Sequence, residues 1–363
     1  MAASAAGRRF LPPAMLLTAL VAGGAVADPP PLLRPGANPD VLRLASLPFD
    51  LGDATEVGDG QWCITASFNY ANLWNHTRNL VMYRREQGRV GLPVSPEELA
   101  ALADRYPDEG YQFLDVEAWW AQVWVQRGLG RGVTVTVRVT FLDVGRPHWD
   151  AIAERWHQWL GLPDFNRHEF PRGQTLVYIK GPGGTVQRRD LARAGVGDAS
   201  LSVAFPAGEW LGARHRAVVA VEAPTGTRGT LHGSGGWDAG MRLWSQWQGD
   251  RISFLSGLGY TWPSMSGTLV GLQRSRVWHT MVGFDWRLWR SLVAMLRLQV
   301  ERSLLADTAA DRLAKPVLAK RFGVAVPLSS ETWLSFDLGQ DSIQNGIAPD
   351  YSFHLTVGSR PAD

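Results

Sequence analysis

The chain has 363 residues, a formal net charge of +2, and 39 Gly and 17 Trp beside a single Cys. Beyond the N-terminus no stretch reaches the roughly 18 apolar residues of a membrane-spanning helix, the balance of charge gives no sign of nucleic-acid binding, and one cysteine excludes an internal disulfide. The mean hydropathy of −0.12 does not exclude a porous β-barrel, in which apolar residues are hidden in alternation.

The first 61 residues divide into two parts. Arg8 and Arg9 precede an apolar stretch that ends in an A-x-A pattern at Ala27, which predicts a cleaved secretory signal peptide over residues 1–27. Residues 28–61 are rich in Pro, Gly and Asp and are predicted to form an irregular periplasmic lead-in.

After residue 60 the chain alternates between apolar and polar residues. Val133, Val135 and Val137, for example, interleave with Thr134 and Thr136. Successive side chains of a strand point to opposite faces, so such a segment has one apolar and one polar face. The pattern predicts twelve strands, at residues 62–72, 113–126, 132–142, 196–205, 214–223, 237–247, 251–262, 276–287, 291–302, 315–327, 331–339 and 351–359.

The links between these strands alternate in length. Short links follow every even-numbered strand before the last, and long links follow every odd-numbered strand. Outer-membrane barrels combine short periplasmic turns, long outer loops and an even number of strands. We therefore predict a transmembrane antiparallel up-and-down β-barrel over residues 62–363, with a porin-like fold in the bacterial outer membrane. The apolar run Leu176 to Lys180 is taken as part of the third link; counting it as spanning would allow fourteen strands.

The two faces of the strands predict a lipid side and a lumen side. The apolar parity is expected to contact lipid, with aromatic residues near the strand ends. It includes Trp237, Ala239, Met241, Leu243, Trp247, Ile252, Phe254, Leu258, Tyr260, Trp262, Trp278, Val282, Phe284, Trp286, Leu292, Ala294, Leu296, Leu298, Val300, Tyr351, Phe353, Leu355 and Val357. The opposite parity is expected to line the lumen with Asp115, Glu117, Arg138, Asp198, Arg216, Glu222, Arg242, Asp285, Arg297, Glu301 and Asp337, together with His279, Arg287, Arg321 and His354.

Two helices are predicted in the long links. Ser95-Pro96-Glu97-Glu98 is a capping box with proline at the first helical position, and it predicts a helix near residues 96–104. A second helix is predicted over residues 147–160. Its candidate lid residues are Trp149, Ile152, Trp156, His157 and Trp159, most of them on one apolar face. That face could pack on its own loop, cover the barrel mouth, or lie on the membrane surface.

No motif in the chain indicates catalysis. There is no G-x-S-x-G elbow, phosphate-binding loop or dinucleotide fingerprint. A metal site is conceivable around His148, Asp150, Glu154, His157, His168 and Glu169. Polar residues opposite an apolar stripe are, however, usually the solvated face of a helix. No cofactor, metal or catalytic residue is predicted, and outer-membrane lipid is the expected partner.

Four segments resemble one family of bacterial proteins. They are Trp156-His157 followed by Gly161-Leu162-Pro163 and Arg167, the D-x-E pair Asp115 and Glu117, the G-x-G-D start of a strand at Gly195 to Asp198, and the lead-in from Leu47 to Asn72. They are similar to the domain-of-unknown-function family numbered 3187, over most of residues 45–220. The resemblance implies a secreted, outer-membrane-type protein and no established activity.

Three functions remain open at this stage. The first is a barrel that passes or binds a small solute, because acids and bases line the expected lumen. The second is a barrel with a sealed, salt-bridged lumen that acts as a structural or interaction module. The third is an outer-membrane enzyme that modifies lipid.

Overall fold

The computed structural model describes residues 55–145, 150–161, 166–181, 184–188, 193–227, 232–264, 266, 272–289, 291–305, 315–329, 332–341 and 351–359. Within these residues the chain is dominated by β-strands. The elements are β1 (Trp62–His76), α1 (Arg78–Glu86), α2 (Pro96–Arg105), β2 (Tyr111–Gly130), β3 (Val133–Gly145), α3 (Asp150–Leu160), a 3-10 turn (Arg167–Glu169), β4 (Leu176–Gly181), β5 (Gly184–Arg188), β6 (Arg193–Val196), β7 (Ala199–Trp210), β8 (Ala213–Ala223), β9 (Asp238–Gln248), β10 (Ile252–Trp262), β11 (Val277–Trp289), β12 (Leu292–Glu301), β13 (Val317–Pro327), β14 (Thr332–Asp341) and β15 (Tyr351–Ser359).

Twelve strands close into one antiparallel barrel, as the sequence predicts. Each strand pairs with the next in the order β1, β2, β3, β7 to β15, and β15 pairs with β1 across eight residue pairs. All twelve predicted strands correspond to barrel strands. The short links join β2 to β3, β7 to β8, β9 to β10, β11 to β12 and β13 to β14, so all the long links lie at the opposite end.

The remaining strands extend one side of the wall above the barrel. The run Leu176 to Lys180 forms β4, which pairs with residues 111–115 of β2 and with β5 and does not cross the barrel. β6 and β7 both pair with β3, one after the other along it, but their registers on β3 differ by one residue. Arg138 pairs with Ser200, whereas Phe141 pairs with Val196. The extra residue falls at Gly197-Asp198.

The outer surface of the barrel is apolar. Met241, Leu258 and Phe284 are exposed, and Trp247 and Trp286 lie exposed near the ends of their strands. An apolar band with aromatic residues at its edges is the surface that a barrel presents to lipid. Of the helices in the described part of the chain, none has the length and apolar character needed to cross a bilayer.

A small second core, here called the cap, stands on the outer face of β1 and β2 at the long-loop end. Helices α1 and α2 and the 3-10 turn pack there against the tops of the two strands. The buried members are Trp74, Leu80, Val81, Val94, Leu99, Leu102, Tyr111, Phe113, Phe170, Leu176 and Tyr178. Burial of this apolar area stabilises α1 and α2, because helices this short are only marginally stable in isolation.

The capping box works differently from its usual form. The Ser95 hydroxyl accepts a hydrogen bond from the Glu98 amide at 3.2 Å, as predicted. The Glu98 carboxylate does not turn back to the cap but binds the buried Arg84 guanidinium at 2.8 and 2.9 Å. Desolvation lowers the pKa of Arg84 despite this partner. The pair therefore joins α1 to α2, and α1 itself was not predicted from the sequence.

Candidate functional site in the barrel lumen

Charged side chains line the inner wall, and most of the predicted ones lie there. Arg138, Arg216, Glu222, Arg242, Asp285, Arg297, Glu301 and Asp337 all belong to the inward parity of their strands. His279, Arg321 and His354 share that position and are buried as well.

Opposite charges pair across neighbouring strands. Arg138 and Glu222 form a 2.5 Å ion pair that spans β7, because both residues are in register with Ser200. Arg297 binds Asp285 on the adjacent strand, and Arg321 lies 3.8 Å from Asp337. Pairing of this kind offsets much of the desolvation cost of buried ions. The inner wall therefore carries charges of both signs.

Large inward side chains lie along the wall where the residue opposite is glycine. Trp244 is in register with Gly257, and a Cβ at Gly257 would lie 2.2 Å from the indole ring. Arg297 is in register with Gly283, whose Cβ would lie 2.7 Å from the Arg297 side chain. The Trp244 and Arg297 side chains thus lie flat on the wall, in the space that a side chain at Gly257 or Gly283 would fill. The same arrangement recurs at Trp333 opposite Gly358.

Two histidines form hydrogen-bond networks within the wall. His279 Nε2 lies 2.9 Å from the Thr261 hydroxyl, and its Nδ1 lies 3.2 Å from the Glu301 carboxylate. Because all three residues are buried, the network fixes the three strands β10, β11 and β12 relative to one another at one level.

The second network has the connectivity of a hydrolase triad. His354 Nε2 lies 3.1 Å from the Ser352 hydroxyl, and Nδ1 lies 2.9 Å from the Asn69 side-chain oxygen. A working nucleophile must also be reached by its substrate. Ser352, His354 and Asn69 are buried on the inward face, the opposite side of the wall from lipid. The arrangement therefore gives no support to lipid hydrolysis.

An apolar cluster spans the lumen at the long-loop end. Leu272 comes from the β10–β11 loop, and Leu304 and Leu305 come from the β12–β13 loop. The two loops are joined by a bridge between Gln273 and Leu305. The leucines pack in one buried cluster with Val277 of β11, with Val177 and Ile179 of β4, and with inward residues of the opposite strands β1, β2 and β3: Ala71, Leu73, Leu114, Val116, Ala118, Trp120, Leu142 and Val144. We call this the mouth cluster.

Two of the predicted lumen residues lie on the other face. The register of β2 on β1 is unbroken, so Asp115 and Glu117 share the outward parity of Trp119, and their prediction as lumen residues is wrong. Asp115 accepts a 3.0 Å bond from Arg167, whose guanidinium lies 4.1 Å above the Trp74 ring. Carboxylates are tolerated here because β2 rises above the lipid band and the cap covers them.

Asp198 holds a loop to the barrel. Its carboxylate accepts hydrogen bonds from the amides of Gly226 and Ser234, each at 2.7 Å, so the β8–β9 loop is fastened to the register shift. A Cβ at Gly195 would lie 2.9 Å from the His232 ring. The glycines and aspartate of the G-x-G-D segment therefore form a seat for this loop.

The helix predicted over residues 147–160 is present as α3, which begins at Asp150 in the described part of the chain. Trp149 lies outside the described residues, as do the side chains of Ile152 and Trp156. His157 is buried, whereas Trp159 is 76% exposed. The Glu154 carboxylate binds Arg172 at 3.1 Å. Within the described residues no cluster of ligands suited to a metal ion occurs.

Sequence reasoning did not identify several inward residues. Trp120, Trp124 and Trp244 are fully buried on the lumen parity, although tryptophan was expected mainly in the outer girdles. Their position in the alternation could have shown this, because Trp120 and Trp124 alternate along β2 with the outward Ala121 and Val123. Asn69 and Ser352 could only be found through the pairing of the first strand with the last.

The comparisons with known proteins agree with this barrel. The model of the family described as protein of unknown function DUF3187 matches residues 98–360. Of the curated proteins, none matches the chain. Among solved structures, the COG4313 outer membrane channel from Pseudomonas putida F1 has a TM-score of 0.52 at 12% identity, with 85% of this chain and 98% of that chain covered.

Two further solved barrels are less similar. The NanC porin gives a TM-score of 0.40 at 8% identity, covering 68% of this chain and 94% of its own. A FadL homologue from Pseudomonas aeruginosa gives 0.36 at 9% identity, covering 82% and 90%. At these identities the likeness concerns the fold alone.

The family match includes both segments that fasten outer loops to the wall, Asp115 with Arg167 and Gly195 to Asp198, and it extends through the last strand. It begins after the lead-in from Leu47 to Asn72, so that part of the resemblance lies outside the matched range. The chain belongs to the DUF3187 family.

Proposed function

We propose that the protein is an outer-membrane channel that passes small polar solutes and is closed at its outer mouth in this conformation. The cleaved signal peptide over residues 1–27, the periplasmic lead-in and the contact with outer-membrane lipid are parts of the same proposal. The similar barrel from Pseudomonas putida F1 is described as an outer membrane channel, which supports it.

The observation that carries the proposal is the placement of large inward side chains on the wall. Eight-stranded barrels are filled by their own side chains, whereas barrels of sixteen or more strands leave an aqueous channel. Twelve strands fall between these cases, so the direction of the side chains decides. Trp244 and Arg297 occupy the space above Gly257 and Gly283 on the wall, and the proposal requires that they stay there and leave the axis to a solute.

The mixed charges indicate the kind of solute. The arginines and carboxylates of the inner wall are joined in ion pairs such as Arg138 with Glu222 and Arg297 with Asp285. A charged ring of one sign would select ions, but a balanced wall favours small polar molecules that exchange hydrogen bonds with it. The buried indoles of Trp120 and Trp124 add apolar surface on the same path.

A specific observation favours the sealed barrel as a second candidate. The mouth cluster contains Leu304 and Leu305, which are buried among inward residues of the opposite wall. If these loops never move, the lumen stays closed and the protein acts as a structural or interaction module. The channel proposal requires instead that the two loops swing away, with α3 and its candidate lid residues shaping the same mouth.

Planar-bilayer recording distinguishes the two candidates. Refolded wild type is compared with the double substitution Leu304→Ser and Leu305→Ser, which weakens the mouth cluster, and with Leu258→Ser on the lipid face as a control. We expect brief openings in wild type and long openings in the double variant, with the control like wild type. Silence in all three, with barrel folding verified by circular dichroism, would favour the sealed barrel.

A further inference from the structure

Residues 55–61, which precede the first strand, lie against the inner wall at the short-turn end. We propose that these residues, the last part of the lead-in, are a selectivity element of the channel. In this proposal the Glu56 carboxylate sets the preference between anions and cations at the periplasmic opening. The proposal rests on the proposed function, because a preference between ions has meaning only for an open barrel.

Backbone contacts seat the lead-in on β2. Gly60 donates a hydrogen bond to the Gly128 carbonyl at 2.9 Å, and Gly128 donates to the Gln61 carbonyl at 3.1 Å. Asp59 also forms a parallel bridge with Gly128. A Cβ at Gly128 would lie 2.0 Å from the Gly58 oxygen and 2.4 Å from the Val57 oxygen. Only glycine at this position admits the lead-in.

Side-chain contacts continue the seat onto the inward face of β3. Val57 is buried, and its amide donates to the Thr134 hydroxyl at 3.3 Å. The same hydroxyl accepts a 3.2 Å bond from Arg216 of β8. Thr134 and Arg216 both belong to the buried parity of their strands. Residues 56–61 therefore lie inside the barrel end and not against its outer surface.

Glu56 supplies the acid of this opening. Its carboxylate lies 3.6 Å from the Arg216 guanidinium and 3.7 Å from that of Arg214. The side chains of Glu56 and Arg214 are about half exposed, so water and ions reach them. Glu56 is thus the acid within 4 Å of both bases, and its loss would remove one negative charge from beside them.

The physical consequence is a change in ion preference. Without Glu56 the opening gains one positive charge. We expect Glu56→Gln to raise the chloride-to-potassium permeability ratio about tenfold at low ionic strength, because one elementary charge changes the occupancy of an ion about 6 Å away in water about threefold and acts in opposite directions on the two ions. Asp250→Asn is the matched control, because Asp250 is an exposed acid on a turn at the same end.

A second pair of variants tests the seat without removing the acid. Gly128→Ala would displace the lead-in together with Glu56, so its permeability ratio should shift in the same direction as in Glu56→Gln. Gly145→Ala on β3 is the control, since a Cβ at Gly145 has open space around it. Its permeability ratio should equal that of wild type.

Chemical labelling reads the seat independently of conduction. In a Cys63→Ser background, Val57→Cys should react slowly with a maleimide because the position is buried, and adding Gly128→Ala should make it react quickly. Asp59→Cys, at an exposed position, should react quickly in both backgrounds.

The outcomes separate the inference from the function on which it rests. A shifted ratio in Glu56→Gln and Gly128→Ala, with protected Val57→Cys, supports the inference. An unchanged ratio in a conducting Glu56→Gln overturns it, and so does rapid labelling of Val57→Cys without Gly128→Ala. Silence of every protein in the bilayer, mouth variants included, overturns the proposed channel itself.

Discussion

The contact between Arg167 and Asp115 is expected to hold the cap on the barrel. The guanidinium of Arg167 donates to the Asp115 carboxylate at 3.0 Å and lies over the Trp74 ring, and the side chains of the pair are 7% and 0% exposed. Arg167→Ala would leave a carboxylate buried beneath the cap without this partner. The cap should therefore open far more often while the barrel stays closed.

The size of the effect follows from the burial. Breaking a buried ion pair by removing one partner costs about 3–5 kcal/mol. Because the cap stands at the edge of the protein, where water can relieve the charge left behind, we take about 3 kcal/mol, which corresponds to roughly a 100-fold rise in the open population. Hydrogen exchange at the amides of Glu169 and Phe170, which close the 3-10 turn, measures that population.

The same loop provides the control. Arg172 binds Glu154 through two hydrogen bonds, but its side chain is 60% exposed, and exposed ion pairs contribute only about 0–1 kcal/mol. Arg172→Ala should therefore change exchange in the cap less than about fivefold. Equal protection of the cap in Arg167→Ala and wild type would refute the reasoning.

Three further changes have definite expected results. Gly257→Ala would push the Trp244 ring off the wall, lowering single-channel conductance and costing about 1–3 kcal/mol in a urea unfolding experiment. Hydrogen bonds from Arg85 hold the pKa of Glu169 below its usual value, so the cap contact is complete above about pH 4.3 and is lost as pH falls through the lowered pKa. Cleavage of the cap by pepsin should therefore rise only below about pH 4.3, and in Glu169→Gln this dependence on pH should be absent. Asp198→Ala removes the acceptor of two backbone amides, worth about 1.5–3 kcal/mol for each bond, and should speed hydrogen exchange in the β8–β9 loop.

The strands could be predicted because their signal is local. Alternation with a period of two is visible within each segment, and every predicted strand is found in the barrel. The signal fails where a strand leaves the lipid band. On β2 the outward parity changes from apolar Val123 to charged Glu117 and Asp115, and charge alone suggested the lumen. Only the cap, formed by distant residues such as Arg167, explains charges on that face.

The contacts within the site could not be predicted, because they join residues far apart in the sequence and leave no local pattern. Helix α1 was missed because its N-cap residue Thr77 makes no capping hydrogen bond through its side chain and because its stability comes from burying Leu80 and Val81 in the cap. The partner of Arg138 lies 84 positions along the chain, and it is fixed by a register that depends on the shift at Asp198. A sequence shows which residues face inward but not which of them meet.

The closing seam of the barrel has a consequence for how the chain folds. The hydroxyls of Tyr70 and Tyr351 meet at 2.9 Å although 281 positions separate them, and His354 reaches Asn69 across the same seam. Contacts of such long sequence separation form slowly, and an unpaired strand edge invites pairing with other chains. β1 must therefore wait with one edge exposed until the last strand arrives, and a chain that loses β15 keeps two edges that associate with neighbouring molecules.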